Sequence, residues 1–255
     1  MHIARKRFGQ HFLHDPGIIE RIVRAIDPQA GDHMVEIGPG LGAITLPLLR
    51  RLPQLDAIEI DRDAIRHLTE ASAGHSLRIH EADVLEFDFG TLRSDQRRLR
   101  LVGNLPYNIS TPLLFRLIDQ REQLLDMHFM LQKEVVDRMA AAAGDESYGR
   151  LSVMLAPWLR VEPLFDIGPG AFRPPPRVVS TFVRLQPHPA PPFRIDDQPR
   201  FAAVVAAAFS QRRKTLRNSL KAWLGEDQIR QAGVDPGDRA EVIPPAAFAA
   251  LANLR

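Results

Sequence analysis

The chain has 255 residues, of which 45% are hydrophobic, and its formal net charge is +2. This length and composition allow a sizeable core in one large domain, or in a large and a small one. The absence of cysteine excludes disulfides, thiolate nucleophiles and cysteine metal sites. No apolar run approaches the roughly 18 residues that cross a bilayer, and no apolar segment follows the basic N-terminus, so we expect a cytoplasmic protein.

Short apolar runs alternate with helical patterns through the first two thirds of the chain, which is typical of β-α-β units. The predicted strands cover residues 34–37, 56–60, 77–80, 99–102, 127–131, 163–167 and 178–185. The predicted helices cover residues 18–26, 41–52, 63–70 and 112–118. Short apolar strands separated by helices favour a parallel sheet that is covered on both faces. We therefore predict an α/β, Rossmann-like domain with a mostly parallel seven-stranded sheet.

Composition changes after the last predicted strand, where five prolines fall within residues 186–199. Such a segment does not hold regular structure for long, so we expect a linker. Residues 201–224 have helical spacing, and the remainder of the chain suggests two or three short helices. The sequence thus predicts a larger domain over residues 1–187 and a small all-α domain over residues 188–255.

A glycine-rich segment at residues 35–42 ends the first predicted strand and opens a helix. Glycines permit a tight turn and a close approach of the backbone to a ligand at the helix N-terminus. Gly38, Gly40 and Ala43 satisfy the dinucleotide-binding pattern G-x-G-x-x-G/A. Glu59 follows about 20 residues later, where an acid binds the ribose hydroxyls of such a ligand. A nicotinamide-dependent oxidoreductase is therefore a competing interpretation of this segment.

A second acid, Asp83, follows the third predicted strand and lies at the same edge of the sheet as Gly38 and Glu59. Ligands of such sheets bind outside the carboxyl ends of the strands. Glu59 would then hold a ribose, and Asp83 would accept a hydrogen bond from an adenine amino group. Each acid alone is equally compatible with a helix N-cap or a surface charge.

The most informative segment is Asn104, Leu105, Pro106 and Tyr107, after the fourth predicted strand. The lone pair of an adenine amine is delocalised into the ring, and acceptors near its two protons would localise it. The Asn104 side-chain oxygen and the Leu105 carbonyl can serve as these acceptors. Pro106 stiffens the loop, and Tyr107 offers a face on which the base can stack. Methyl transfer from a sulfonium to such an amine has a strong leaving group, so alignment and electrostatics suffice for it without a metal or a proton-abstracting base.

These motifs resemble those of the rRNA adenine dimethyltransferases. Similar motifs cover residues 8–13, 36–42, 104–112, 127–134, 148–152, 172–176 and 209–220. The resemblance thus extends over nearly the whole chain, and the last motif is similar to the KsgA/RsmA branch in particular.

The resemblance implies an S-adenosylmethionine-dependent class I methyltransferase that dimethylates two adjacent adenosines near the 3′ end of 16S rRNA in an immature 30S subunit. It places the donor contacts at His11, Leu13, Gly38, Gly40, Glu59, Asp83 and Asn104. It also places Phe172 across the target base from Tyr107, so that the catalytic group is Asn104, Leu105, Pro106, Tyr107 and Phe172. Many relatives have asparagine at the position of His11, which affects a side-chain contact but not a backbone contact.

A basic cluster without acidic residues occupies residues 211–221. We expect RNA binding by its cationic members, Arg212, Arg213, Lys214, Arg217 and Lys221. Positions 213, 217 and 221 have helical spacing and would form a stripe that follows a phosphate backbone, although a solvated face is the alternative. We expect a monomer with no membrane partner.

Three other interpretations are weighed against this one. A methyltransferase of 23S rRNA shares the glycine loop and an Asn-aliphatic-Pro-Tyr motif, but the basic tail argues against it. A non-catalytic assembly factor would bind immature subunits, yet the intact Asn104 and Tyr107 favour retained chemistry. An oxidoreductase leaves the segment 104–107 unexplained.

Overall fold

The computed structural model describes residues 11–93, 95–211 and 213–254. The chain forms two compact units: Met1–Lys133 with Val161–Pro187, and Glu134–Arg160 with His188–Arg255. The predicted domain boundary after residue 187 coincides with one division between the units. Glu134–Arg160, however, belongs to the second unit, because Tyr148 and Val153 pack into its hydrophobic core.

The first unit is built on two sheets. Its strands are β1 (Phe12–Leu13), β2 (His33–Ile37), β3 (Leu55–Glu59), β4 (Leu77–Glu81), β5 (Leu99–Asn104), β6 (Leu124–Gln132), β7 (Leu159–Ile167), β8 (Phe172–Arg173) and β9 (Ser180–Pro187). Strands β1 and β8 pair antiparallel, and the others form a seven-stranded sheet in the order β4-β3-β2-β5-β6-β9-β7. Neighbours from β4 to β6 are parallel and β9 runs antiparallel to β6, so the predicted mostly parallel seven-stranded sheet is confirmed.

The helices of the first unit are α1 (Pro16–Ile26), α2 (Thr45–Leu49), α3 (Arg62–Ala71) and α4 (Ser110–Asp119). The Asp15 side chain caps α1 by accepting a hydrogen bond from the Ile18 amide at 2.9 Å, which satisfies one free amide of the first turn. The helix predicted over residues 41–52 is shorter than expected. It starts only at Thr45 because Gly40 and Gly42 have φ values of 54° and 87°, outside the helical region.

The C-terminal end of α1 is held by the buried side chain of Arg100 on β5. Its guanidinium donates to the Ile26 carbonyl at 2.7 Å and to the Asp32 carboxylate at 2.6 Å. It also forms a bidentate ion pair with the Asp126 carboxylate on β6. A cation at a helix C-terminus satisfies carbonyls that have no partner within the helix, so Arg100 joins α1 to two central strands.

His128 lies beside this network on β6 and is fully buried. The Arg184 Nε group donates to His128 Nε2 at 3.0 Å, and the imidazole stacks on Phe182 with ring centroids 6.1 Å apart. Burial is the main cause that lowers the pKa of His128 to about 4. The imidazole is therefore neutral in the folded protein at neutral pH.

This pKa makes the stability of the fold pH-dependent. Between pH 6.5 and pH 4 the unfolded chain binds a proton at residue 128 that the folded protein does not bind, so stability falls as the pH falls. We predict that His128→Gln, which keeps an acceptor but does not titrate, loses about 2 kcal/mol less stability than the parent between pH 7.5 and pH 5. Urea unfolding at the two pH values measures this difference. Equal losses in both proteins would contradict it, since the other titrating groups are common to both.

The helices at the junction and in the second unit are α5 (Lys133–Ala140), α6 (Arg150–Leu155), α7 (Gln198–Ala208), α8 (Leu216–Ser219), α9 (Glu226–Gln231) and α10 (Pro245–Asn253). Their core surrounds Phe201 and Phe248, and the Tyr148 hydroxyl donates to the Ile243 carbonyl at 2.6 Å. Short helices beyond residue 224 are confirmed by α9 and α10. The proline-rich segment lacks regular structure between β9 and α7, but Phe193 and Ile195 within it pack against the same core.

The prediction of a helical basic stripe at positions 213, 217 and 221 is wrong. Helix α7 ends at Ala208 and α8 covers only Leu216–Ser219. The chain bonds instead to a distant segment: the Leu216 amide donates to the Asp238 carbonyl at 2.8 Å, and Thr215 forms a β-bridge with Arg239. These long-range bonds replace the helical ones, so Arg213 and Lys221 do not share a helix face with Arg217.

Candidate active site

The carboxyl ends of four parallel strands bring the predicted site residues to one edge of the sheet. The Gly38 amide donates to the Ile58 carbonyl of β3 at 2.9 Å, and Asn104 is the last residue of β5. The Ala82 amide donates to the Glu59 carbonyl at 3.1 Å, which carries the chain from β4 toward Asp83. The structure thus places Gly38, Glu59 and Asn104 where the strand order predicts.

Glu59 connects the glycine loop to the end of β3. Its carboxylate is buried and accepts hydrogen bonds from the amides of Ile60 and Asp61, both at 2.9 Å, and of Gly40 at 3.2 Å. Burial raises the pKa of Glu59, and the three backbone donors act in the opposite direction. The carboxylate therefore fixes the conformation of the loop at Gly40.

The loop itself requires glycine. Gly38, Gly40 and Gly42 have φ values of 65°, 54° and 87°, in the region that other residues rarely adopt. A Cβ on Gly40 would lie 3.2 Å from the Phe12 ring. The loop therefore combines left-handed backbone with close packing against β1.

Asn104 and His11 meet at the end of β5. The Asn104 Nδ2 group donates to the His11 carbonyl at 2.9 Å. This bond fixes the orientation of the amide, because only its nitrogen can donate, and directs Oδ1 away from His11. The Asn104 oxygen is thus held as an acceptor at the edge of the sheet.

Tyr107 is half-buried and is held by two contacts. Its hydroxyl lies 2.9 Å from the Ser180 hydroxyl, and its ring stacks with the His11 imidazole at a centroid distance of 5.8 Å. Burial raises the pKa of the Tyr107 phenol. The neutral phenol therefore remains a hydrogen-bonding group, and the ring is available for aromatic stacking.

The family model described as ribosomal RNA adenine dimethylase matches residues 1–255. The chain belongs to this family. Ribosomal RNA small subunit methyltransferase A of Nitrosococcus oceani is 56% identical over 251 residues, 98% of this chain and 95% of that protein. A solved dimethyladenosine transferase from Plasmodium falciparum is 26% identical, with a TM-score of 0.76, over 94% of this chain and 96% of that chain.

A solved 23S rRNA methyltransferase, ErmE, is 24% identical to this chain, with a TM-score of 0.74 over 94% of this chain and 98% of that chain. That likeness concerns the fold. The predicted KsgA/RsmA resemblance is confirmed by the family and its curated members. The chain is accordingly an S-adenosylmethionine-dependent rRNA methyltransferase with a class I methyltransferase domain.

Of the other predicted site residues, three are buried and Asp83 is exposed. Leu13 and Phe172 are paired between β1 and β8 and are 5% and 2% exposed. A base can stack on Phe172 only after the segments that cover it move, so its catalytic role stays a prediction. Leu105 is 1% exposed, and its amide donates to the Met130 carbonyl at 3.3 Å. Asp83 is exposed and caps a turn by accepting from the Leu85 amide at 2.9 Å.

The predicted RNA-binding residues belong to the second unit of the chain. Arg213, Lys214, Arg217 and Lys221 are exposed, whereas Arg212 lies outside the described residues. A cavity of about 550 Å³ in this unit is lined by side chains from several segments, among them Arg138, Arg150 and Lys214. Residue patterns do not single out Arg138 and Arg150, because they line this cavity only when distant segments come together.

The sequence analysis also missed Glu36 on β2. Its side chain is 2% exposed, and its Oε2 atom has no hydrogen-bond partner among the described residues. Burial and, to a smaller extent, Glu59 raise the pKa of Glu36 to about 7 against the opposing effect of the nearby Thr45 hydroxyl. An acid inside an otherwise apolar buried strand was the available signal.

Gly103, directly before Asn104, is a further residue that the motif analysis did not use. A Cβ at this position would lie 2.4 Å from the Ile37 carbonyl oxygen. Such a distance is prohibitive, and the obstructing atom belongs to the backbone of β2. Gly103 therefore allows β5 to approach the start of the glycine loop.

We predict that Gly103→Ala lowers the free energy of unfolding by about 1–3 kcal/mol, because the strands must separate to accept the methyl group. Since Asn104 and Gly38 lie at this contact, donor binding should weaken as well. Urea unfolding and calorimetry measure the two effects. Gly168→Ala is the matched control, because Gly168 has an ordinary φ of −70° and no atom of the described residues lies within 4 Å of the added Cβ. Equal stability of the two variants would contradict the assignment.

Proposed function

We propose that this chain transfers methyl groups from S-adenosylmethionine to the amino nitrogens of two adjacent adenosines near the 3′ end of 16S rRNA. The observation that carries the proposal is the fixed amide of Asn104 at the sheet edge that also holds Glu59 and the glycine loop. The 56% identity to a protein named ribosomal RNA small subunit methyltransferase A favours 16S rRNA over 23S rRNA, since ErmE is only 24% identical.

The chemistry of the site fits an adenosyl sulfonium. A carboxylate offers about four acceptor positions; three amides occupy part of the Glu59 carboxylate, which leaves room for a ribose hydroxyl. Ile60 follows it and is 49% exposed, an apolar surface suited to an adenine face. Asp83 would accept from the adenine amine, and the acids Glu36 and Glu59 favour a cation nearby.

S-adenosylmethionine supplies an electrophilic methyl carbon, whose bonding electrons remain with the sulfur when the methyl group leaves. Asn104 Oδ1 accepts a hydrogen bond from one N–H of the target amine, and the Leu105 carbonyl accepts one from the other N–H, so that the nitrogen lone pair is directed at the methyl carbon. Tyr107 stacks on the base and holds its plane. The amine releases a proton to solvent after the carbon–nitrogen bond forms. A second donor molecule, bound after the demethylated thioether has left, supplies the second methyl group, and the singly methylated nitrogen then donates its one remaining N–H hydrogen bond.

The direct test uses labelled methyl donor with small subunits from a methylation-deficient strain, and 23S rRNA alongside. Nucleoside analysis should find the label in dimethyladenosine of 16S rRNA alone. Label in 23S rRNA would favour the other methyltransferase class. Subunit binding without transfer would favour a non-catalytic assembly factor.

We predict that Asn104→Ala lowers the single-turnover rate of methyl transfer by about 10²–10³-fold, the usual effect of removing one preorganised polar contact. Subunit affinity should change little, because the RNA contacts are spread over many residues. Donor affinity is measured by calorimetry on the same variant, which separates a donor contact from catalysis. An equal loss of rate and subunit affinity would make Asn104 a structural residue.

We infer that the second unit binds the RNA of an immature 30S subunit, while the first unit binds the donor. The whole protein acts as a monomer in the cytoplasm. The cavity lined by Arg138, Arg150 and Lys214 supports this division. Its walls also carry three acids, Glu134, Glu146 and Glu241, of which Glu134 is ion-paired with Arg138. A phosphate would therefore compete with carboxylates there. This cavity replaces the helical stripe as the centre of the proposed RNA surface.

We predict that replacing Arg213, Lys214 and Arg217 by alanine weakens subunit binding, since each neutralised phosphate releases counterions. The dependence of log K on log salt should become shallower by about 0.7–0.9 for each phosphate that the variant no longer neutralises, and donor affinity should not change. Arg194→Ala is the control, because this exposed arginine of the same unit pairs with Asp196 and shares no partner with the three replaced residues. Parental affinity and salt slope in the triple variant would remove this surface from the proposal.

A further inference from the structure

We propose that His11 is a positioning residue for Tyr107 in methyl transfer, an inference that rests on the proposed function. His11 makes three contacts within the first unit. Its carbonyl accepts from Asn104, its ring Nδ1 lies 2.8 Å from the Pro174 carbonyl, and its ring stacks with Tyr107. One residue therefore contacts the proposed acceptor and the proposed stacking platform.

The contact to Pro174 determines how the imidazole is held. A carbonyl oxygen accepts but does not donate, so His11 Nδ1 carries the proton and donates to Pro174. This bond fixes one edge of the ring, while the backbone bond to Asn104 fixes the start of the side chain. The imidazole is thus anchored at both ends as it lies against Tyr107.

Tyr107 is restrained from three directions. The His11 ring covers one face at an interplanar angle of 29°. The fully buried Ser180 holds the hydroxyl, and the Ser110 hydroxyl donates to the Tyr107 carbonyl at 2.9 Å. The proposal places the target base on the ring face opposite His11. Since transfer depends on alignment within a fraction of an ångström, a freely rotating tyrosine would position the base less well.

Replacement by asparagine separates the two contributions of His11. The asparagine amide can donate to the Pro174 carbonyl but has no ring to cover Tyr107. His11→Asn therefore removes the stack and keeps a donor. His11→Phe does the reverse, because it keeps a ring and removes the donor.

The first measurement is independent of activity. The chain contains two tyrosines, so labelled tyrosine gives ring signals from Tyr107 and Tyr148 alone. His11→Asn should shift the Tyr107 signals, because the variant has no neighbouring ring current, and should leave those of Tyr148 unchanged. Tyr148 packs in the core of the second unit and reports whether the variant is folded.

The second measurement is the kinetics of methyl transfer to small subunits. We expect His11→Asn to lower kcat about two- to tenfold, the range of one aromatic stacking contact, and to change KM less than kcat. His11→Phe should lower kcat less than His11→Asn does, because it keeps the ring. Donor affinity is measured on both variants, because the resemblance places His11 among the donor contacts. An unshifted Tyr107 signal, an unchanged kcat in His11→Asn, or an equal defect in both variants would overturn the inference. Absence of transfer by the parent would instead overturn the proposed function.

Discussion

The site depends on a buried carboxylate whose hydrogen bonds come from the backbone. Glu59 accepts from Gly40, Ile60 and Asp61, so the glycine loop after β2 and the turn after β3 share one acceptor. Burying a carboxylate is costly unless it is hydrogen-bonded, and backbone donors offset the cost without mobile side chains. The loop conformation is therefore fixed by the fold before any ligand arrives.

A second layer of the site comes from segments that are far apart in the sequence. β1 pairs with β8 at the register Leu13 to Phe172, which brings His11 to the proline run and to the end of β5. The Asn104 amide and the Tyr107 ring are then oriented by groups from the N-terminal segment and from β9. Such contacts restrict the orientations of Asn104 and Tyr107.

The elements with local signals were predicted well. Buried strands and the glycine loop follow from apolar runs and from backbone geometry at Gly38 and Gly40, and Glu59 follows from the spacing to that loop. The helix at 201–224 failed because long-range bonds from Thr215 and Leu216 outweigh helical spacing. The near-complete burial of Phe172 and the stack of His11 on Tyr107 depend on tertiary packing, which residue patterns along the sequence do not reveal.

The second unit is assembled from two pieces of chain that flank Val161–Pro187. During synthesis, Tyr148 and Val153 leave the ribosome before Phe201 and Phe248, the aromatic residues that complete their core. The sheet of the first unit is complete once β9 has emerged, whereas Glu134–Arg160 still lacks most of its packing partners. The nascent chain therefore carries an apolar segment without its packing partners between two parts of the first unit's sequence, and the first unit can form before the second.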